Sequence, residues 1–192
     1  GYTSATCPTD SLYAALEPLL SSAVGLGIIP VFAAGNSGAT GGVDYPACSP
    51  NAISVGSTTN ADVISSFSNR GGDRFDVYAP GSNILSSIPF FNVIGVKSGT
   101  SMATPHISGA VAVVQQNQRL NGRPTLNLTQ IRSLLQQYGR SIAPNNTRID
   151  LYALITKLNE NYSINVSGNS IRNDSSGTMI QSRLSWKRST TS

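Results

Sequence analysis

Apolar residues recur at three- and four-residue steps across residues 11–24, at Leu12, Ala15, Leu16, Leu19, Leu20 and Ala23. That spacing gathers them on one helical face and predicts a helix. Pro18 inside the run implies a kink or a late start, and Gly25 and Gly27 end it. Residues 28–34 are then apolar without alternation, the pattern of a strand covered on both faces. Residues 52–55 and 75–78 are two further short strand candidates, each followed by Gly or Pro-Gly. Residues 104–116 are rich in Ala and Val nearly all round and predict a central helix, while residues 128–138 and 150–158 predict two more. Helices interleaved with non-alternating strands predict an α/β fold, a mostly parallel sheet flanked by helices. After residue 158 the pattern stops. Residues 159–192 are rich in Ser, Asn and Thr and read as a disordered tail.

Composition narrows the function. The chain has 192 residues, enough for one domain, and only 11% are charged, where about 25% is usual. Coiled coils and charged arms are excluded. The net charge of +4 is divided between body and tail without a basic stripe, so no nucleic-acid partner is expected. No apolar stretch approaches the ~18–20 residues of a membrane span, so no membrane partner is expected either. The first ten residues are polar, with neither an initiating Met nor a signal peptide, and the sequence reads as cut from something longer. Cys7 and Cys48 sit at neither a metal-like nor a redox-like spacing. Two buried thiols, or one disulfide closing a loop of about 40 residues, are both open at this point. Asn-x-Ser/Thr sites at Asn127, Asn145, Asn161, Asn165 and Asn173 are about what chance gives in so Asn- and Ser-rich a chain.

Two segments carry chemistry. The phrase Lys97-Ser-Gly-Thr-Ser101-Met-Ala-Thr-Pro-His106 leads into the central helix and places Ser101 at or just before its first turn. Unsatisfied N–H groups and the positive end of the helix dipole face that position and stabilise developing negative charge, although an ordinary Ser cap looks the same. The strand at 28–34 runs into Gly35-Asn36-Ser-Gly38. An Asn at the carboxyl end of a buried parallel strand can donate to a tetrahedral intermediate.

Together the phrases VFAAGNSG, YPACSPNAISVG, SSFSN, FDVYAPG and SGTSMATPHISGA occur in an order that resembles the subtilisin-like serine protease family, from about Cys7 to Leu158. The resemblance implies a subtilisin-like sheet, incomplete at its amino-terminal side, and a serine endopeptidase working through an acyl-enzyme. It makes Ser101 the nucleophile, Asn36 the oxyanion-hole donor and Thr100 a lesser helper. Ala33, Ala34 and Gly35 become one wall of the pocket for the residue before the cut. Asp44 becomes a carboxylate at the base of that pocket, favouring Lys or Arg in protein or peptide substrates. Pro50, Ala52 and Asp76 match a structural calcium site, two carbonyls and a carboxylate, while the chemistry itself requires no cofactor. Cys7 and Cys48 match a disulfide of secreted members, which implies an extracellular protein.

The departure from the pattern is the triad. The family's Asp-Ser/Thr-Gly and His-Gly-Thr-His phrases do not occur here, and the single histidine, His106, lies five residues past Ser101, about 140° round a helix. The sequence therefore reads as the carboxyl-terminal portion of a protease domain, inactive alone, whose partner is the missing amino-terminal part. An α/β-hydrolase is excluded, because that fold needs a His far downstream of the serine. A catalytically inactive relic that binds peptide or serves as a structural module is the competing expectation.

Overall fold

The computed structural model describes Tyr2, Cys7 and residues 11–88 and 93–160; the expected disordered tail lies almost wholly outside the described residues. The chain divides into two compact units, Gly1–Ile155 and Thr156–Ser192. Of the second, residues 156–160 are described, with Lys157 Nζ 2.6 Å from Glu160 Oε2.

The elements in order are α1 (Ser11–Gly25), β1 (Val31–Ala33), β2 (Ile53–Thr58), β3 (Val77–Pro80), β4 (Ile84–Ser87) and β5 (Ile94–Lys97), then α2 (Thr100–Leu120), α3 (Leu128–Gln137), β6 (Arg140–Ala143), β7 (Asn146–Arg148) and α4 (Leu151–Glu160). Five strands form one sheet in the order β1-β2-β3-β7-β6, parallel from β1 to β7, with β6 antiparallel at the edge. β4 and β5 make a separate antiparallel pair. The predicted mostly parallel sheet flanked by helices is present.

Local chemistry sets the boundaries. α1 keeps Pro18 in its interior and ends where Gly27, at φ +80°, lets the Ile28 N–H turn back to the Ala23 carbonyl. The strand expected over 28–34 contracts to three residues. Pro30 can only accept, from the Ile53 N–H, and Gly35 at φ +106° ends the ladder. α3 starts on a capping box, in which Asn127 and Gln130 satisfy each other's backbone N–H groups. Asp150, expected as the first residue of α4, is its cap and accepts from the Ala153 N–H. The pairs β4–β5 and β6–β7, of three- and four-residue strands, had no legible pattern.

β2 is buried along its whole length, because β1 and β3 flank it and α2 crosses all three. α2 covers them with Ala103, Ile107, Ala110, Val111 and Val114, a stripe at helical spacing. Burial all round the helix was the expectation, and only this side meets it. Pro105, Ala112 and Val113 are exposed. α2 also begins at Thr100, four residues earlier than its pattern, so Pro105 is its sixth residue and cannot supply the i+4 N–H that the Ser101 carbonyl would otherwise accept. On the opposite flank, Gly56 of β2 lies beneath Tyr78, its partner in the parallel register. A Cβ there would come within 2.7 Å of the Tyr78 ring and 2.8 Å of the Phe75 ring.

Cys7 and Cys48 form a disulfide across 41 residues, with Cys48 fully buried beside Ala34, Val43 and Ala47. Closing a loop of that length restricts the unfolded chain. Replacing both cysteines by alanine should lower unfolding free energy by about 3–4 kcal/mol in a urea titration. An unchanged midpoint would show that the crosslink adds nothing.

Candidate active site

The end of β1 turns sharply into the segment that carries Asn36. Ala34 is fully buried; its N–H bonds the Val55 carbonyl and its own carbonyl accepts the Asp44 N–H at 2.8 Å. Gly35 follows in a conformation that L side chains rarely adopt, and a Cβ there would fall 2.1 Å from Asp44 Oδ2 and 2.3 Å from Asn69 Nδ2. The glycine therefore lets a carboxylate and an amide close in beneath the turn. Asn69, itself fully buried, accepts at Oδ1 from the Ser37 N–H, the Ser37 hydroxyl and the Ala39 N–H, while its N–H donates to the Gly35 carbonyl. This residue fixes the loop after Asn36. Only the phrase SSFSN hinted at it.

The start of α2 meets that loop. Asn36 Oδ1 accepts from the Thr100 N–H at 2.9 Å and from the Thr100 hydroxyl at 3.0 Å, a contact between residues 64 positions apart. The Thr100 hydroxyl in turn accepts from the Gly35 N–H at 3.2 Å. Because both groups facing Asn36 are donors, the amide must present its oxygen to Thr100 and turn its NH2 away. The Thr100 proton is thus spent on Asn36. Ser101 follows as the second residue of α2, exposed, with a backbone N–H that the helix itself leaves unsatisfied. Gly81 makes the approach possible. Its carbonyl accepts the Gly99 N–H at 2.8 Å, and a Cβ there would meet Ser57 Oγ at 2.5 Å and the Gly99 carbonyl at 2.7 Å.

Ser101 borders an open hollow of about 420 Å³ between α2 and the β4–β5 pair, with Met102, His106, Leu85 and Lys97 among its walls. His106 is exposed, and its Nδ1 lies 3.0 Å from the Met102 carbonyl one turn back. The structure thus unites Asn36, Thr100, Ser101, Gly35 and Asp44 around one turn. Pro50, Ala52 and Asp76 meet one another elsewhere, at the amino-terminal ends of β2 and β3. The guanidinium that joins them, from Arg132 on α3, carries no mark in the sequence, since an arginine on an amphipathic helix looks like any solvated charge.

Comparison with known proteins places this geometry. A model of the Subtilase family matches residues 3–177. The chain belongs to the subtilase family. Among its relatives, a subtilisin of Bacillus pumilus is 41% identical over 132 residues, which are 67% of this chain and 45% of that protein. Subtilisin Savinase of Lederbergia lenta is 40% identical over 133 residues, 69% of this chain and 46% of it. The chain therefore spans less than half the length of these relatives. The solved structure of the self-cleaved protease domain of PatA superposes with a TM-score of 0.68 at 29% identity, over 76% of this chain and 55% of that one. The prenylagaramide maturation protease PagA gives 0.65 at 25% identity, over 74% and 55%.

In this subtilase chain Gly35→Ala would force a methyl group into Asp44 and Asn69 and strain the backbone besides. The substitution should lower stability by about 2–4 kcal/mol, read by thermal or urea unfolding. Tolerance of alanine would mean that Asp44 and Asn69 are not held against the turn.

Proposed function

We propose that this chain is the nucleophile-bearing portion of a secreted serine endopeptidase. The observation that carries the reading is the Asn36–Thr100 junction, which orients an amide beside the helix start that bears Ser101. Ser101 Oγ attacks the carbonyl carbon of the scissile bond, and its proton passes to a general base. The tetrahedral oxyanion is received by the Asn36 NH2 and the Ser101 N–H. As the carbon–nitrogen bond breaks, the base returns the proton to the leaving amine, and water then releases the acyl group.

The base comes from outside the described residues, in the amino-terminal part of the same domain, which is this portion's partner. His106 is not that base: it lies five residues beyond the nucleophile on the same helix, about 140° round it. Protein or peptide chains are the substrates. Asp44, beneath Gly35, gives the pocket for the residue before the cut a carboxylate that favours Lys or Arg. The disulfide and the low charge support an extracellular site of action.

The test uses the full-length protein that carries this chain and a fluorogenic peptide. Ser101→Ala should abolish turnover. Asn36→Ala should lower kcat with little change in KM, by about 10²–10³-fold, a magnitude carried over from the same kind of donor in subtilisin itself. Turnover that survives Ser101→Ala overturns the reading. In a peptide library, Lys and Arg before the cut should be preferred, and Asp44→Gly should erase the preference; indifference in the unsubstituted protein removes Asp44 from the pocket.

A further inference from the structure

Two carbonyls and a buried carboxylate converge on one point at the amino-terminal ends of β2 and β3. Pro50 O and Ala52 O come from the residues leading into β2, and Asp76 from the residue before β3. These are the oxygens that the resemblance puts around calcium. Here they converge on the guanidinium of Arg132. Its Nη2 donates to Ala52 O at 2.5 Å and to Pro50 O at 3.2 Å, and its Nε lies 2.9 Å from Asp76 Oδ1. The other carboxylate oxygen accepts the Ser54 N–H at 2.9 Å, and Gln136 Nε2 stands 3.5 Å from Oδ1.

We propose that Arg132 is a built-in cation that takes the place of a divalent ion, so that this junction holds without calcium. Calcium takes six to eight oxygen ligands at about 2.3–2.6 Å. Each of the three protein oxygens here already faces a nitrogen of the guanidinium, and a second cation among them would meet a fixed positive charge at contact distance. The planar fork has its donors in set directions, so one side chain reaches two carbonyls and a carboxylate together. α3 holds the fork in place. Ile131 and Leu135 are buried at a four-residue step beside Arg132, and the capping box fixes the start of the helix. The guanidinium thereby also ties α3 to the beginnings of both strands, which a free ion could not do.

The experiment is thermal unfolding of the full-length protein in EGTA and in millimolar calcium chloride, with magnesium chloride as control. It needs no catalytic activity and stands apart from the peptidase reading. In EGTA, Arg132→Ala should lower the melting midpoint by about 5–10 °C, because Asp76 is left buried without its partner. Calcium should then restore part of that loss, beyond any shift it produces in the unsubstituted protein, and magnesium should restore less. Arg132→Lys, a milder change, should lie between the two, since it keeps the charge and loses the fork. Asp76→Asn should leave the calcium shift of the protein unchanged, because the native site takes no ion. Two results would overturn the inference: calcium gains for Arg132→Ala no larger than for the unsubstituted protein, or a calcium shift that disappears in Asp76→Asn.

Discussion

β2 lies between two strands and beneath a helix, so a polar group that it or its neighbours turn inward costs free energy unless it finds a partner within the protein. Most do, whereas the Thr58 and Tyr78 hydroxyls do not. The core holds many such groups. Ser54, Ser57, Thr58, Ser65, Ser68, Asn69, Asp76 and Thr100 are all buried. Most of them bond one another across elements rather than within them. The Ser57 N–H donates to the Ser68 hydroxyl, the Ser57 and Ser65 hydroxyls lie 2.8 Å apart, and Ser65 reaches Ser82 at 2.7 Å. These contacts bind the loop between β2 and β3, which supplies Asn69, to the strand beneath it. Satisfying buried polarity is therefore what places the loop that places Asn36.

The same constraint shapes both ends of the sheet. At the carboxyl ends of the strands, Asn36 and Thr100 consume each other's oxygen and protons, and the uncommitted amide hydrogens turn away from the contact. At the amino-terminal ends, the Asp76 carboxylate consumes the Ser54 N–H and the Arg132 guanidinium. One end leaves amide hydrogens uncommitted; the other closes on itself. The positions of Gly35 and Gly81 follow from the first arrangement, because a side chain at either would hold apart the groups that must meet.

How much of this was legible depended on whether the cause was local. The end of β1 could be read because Gly35-Asn36 follows an apolar run directly, and Ser101 could be read because a specific phrase surrounds it. The helix beginning at Thr100 could not be located from its own pattern. What caps the Thr100 N–H is an asparagine 64 residues away, and apolar periodicity is silent about such a partner. The hairpins were missed for a different reason. β4 and β5 expose most of their residues, including Leu85, Ile94 and Val96, so burial imposes no alternation on them. The direction of the Thr100 proton was not legible either, because it depends on which face the Asn36 amide turns towards it.

Arg132 shows what a resemblance between sequences conceals. The matching positions Pro50, Ala52 and Asp76 are all present, but the partner that their oxygens meet comes from a helix more than fifty residues further along the chain. A guanidinium and a divalent ion are not equivalent there. The guanidinium brings one positive charge instead of two. Burial pushes the Asp76 carboxyl above the ordinary range, and the opposing pull of Arg132, with the Ser54 hydrogen bonds, does not fully offset that. A cation of higher charge would oppose burial more strongly, but only while bound. A covalently attached one opposes it less and is never lost to dilution or to a chelator. The exchange trades electrostatic strength for permanence, at a point where two buried strands and a helix meet.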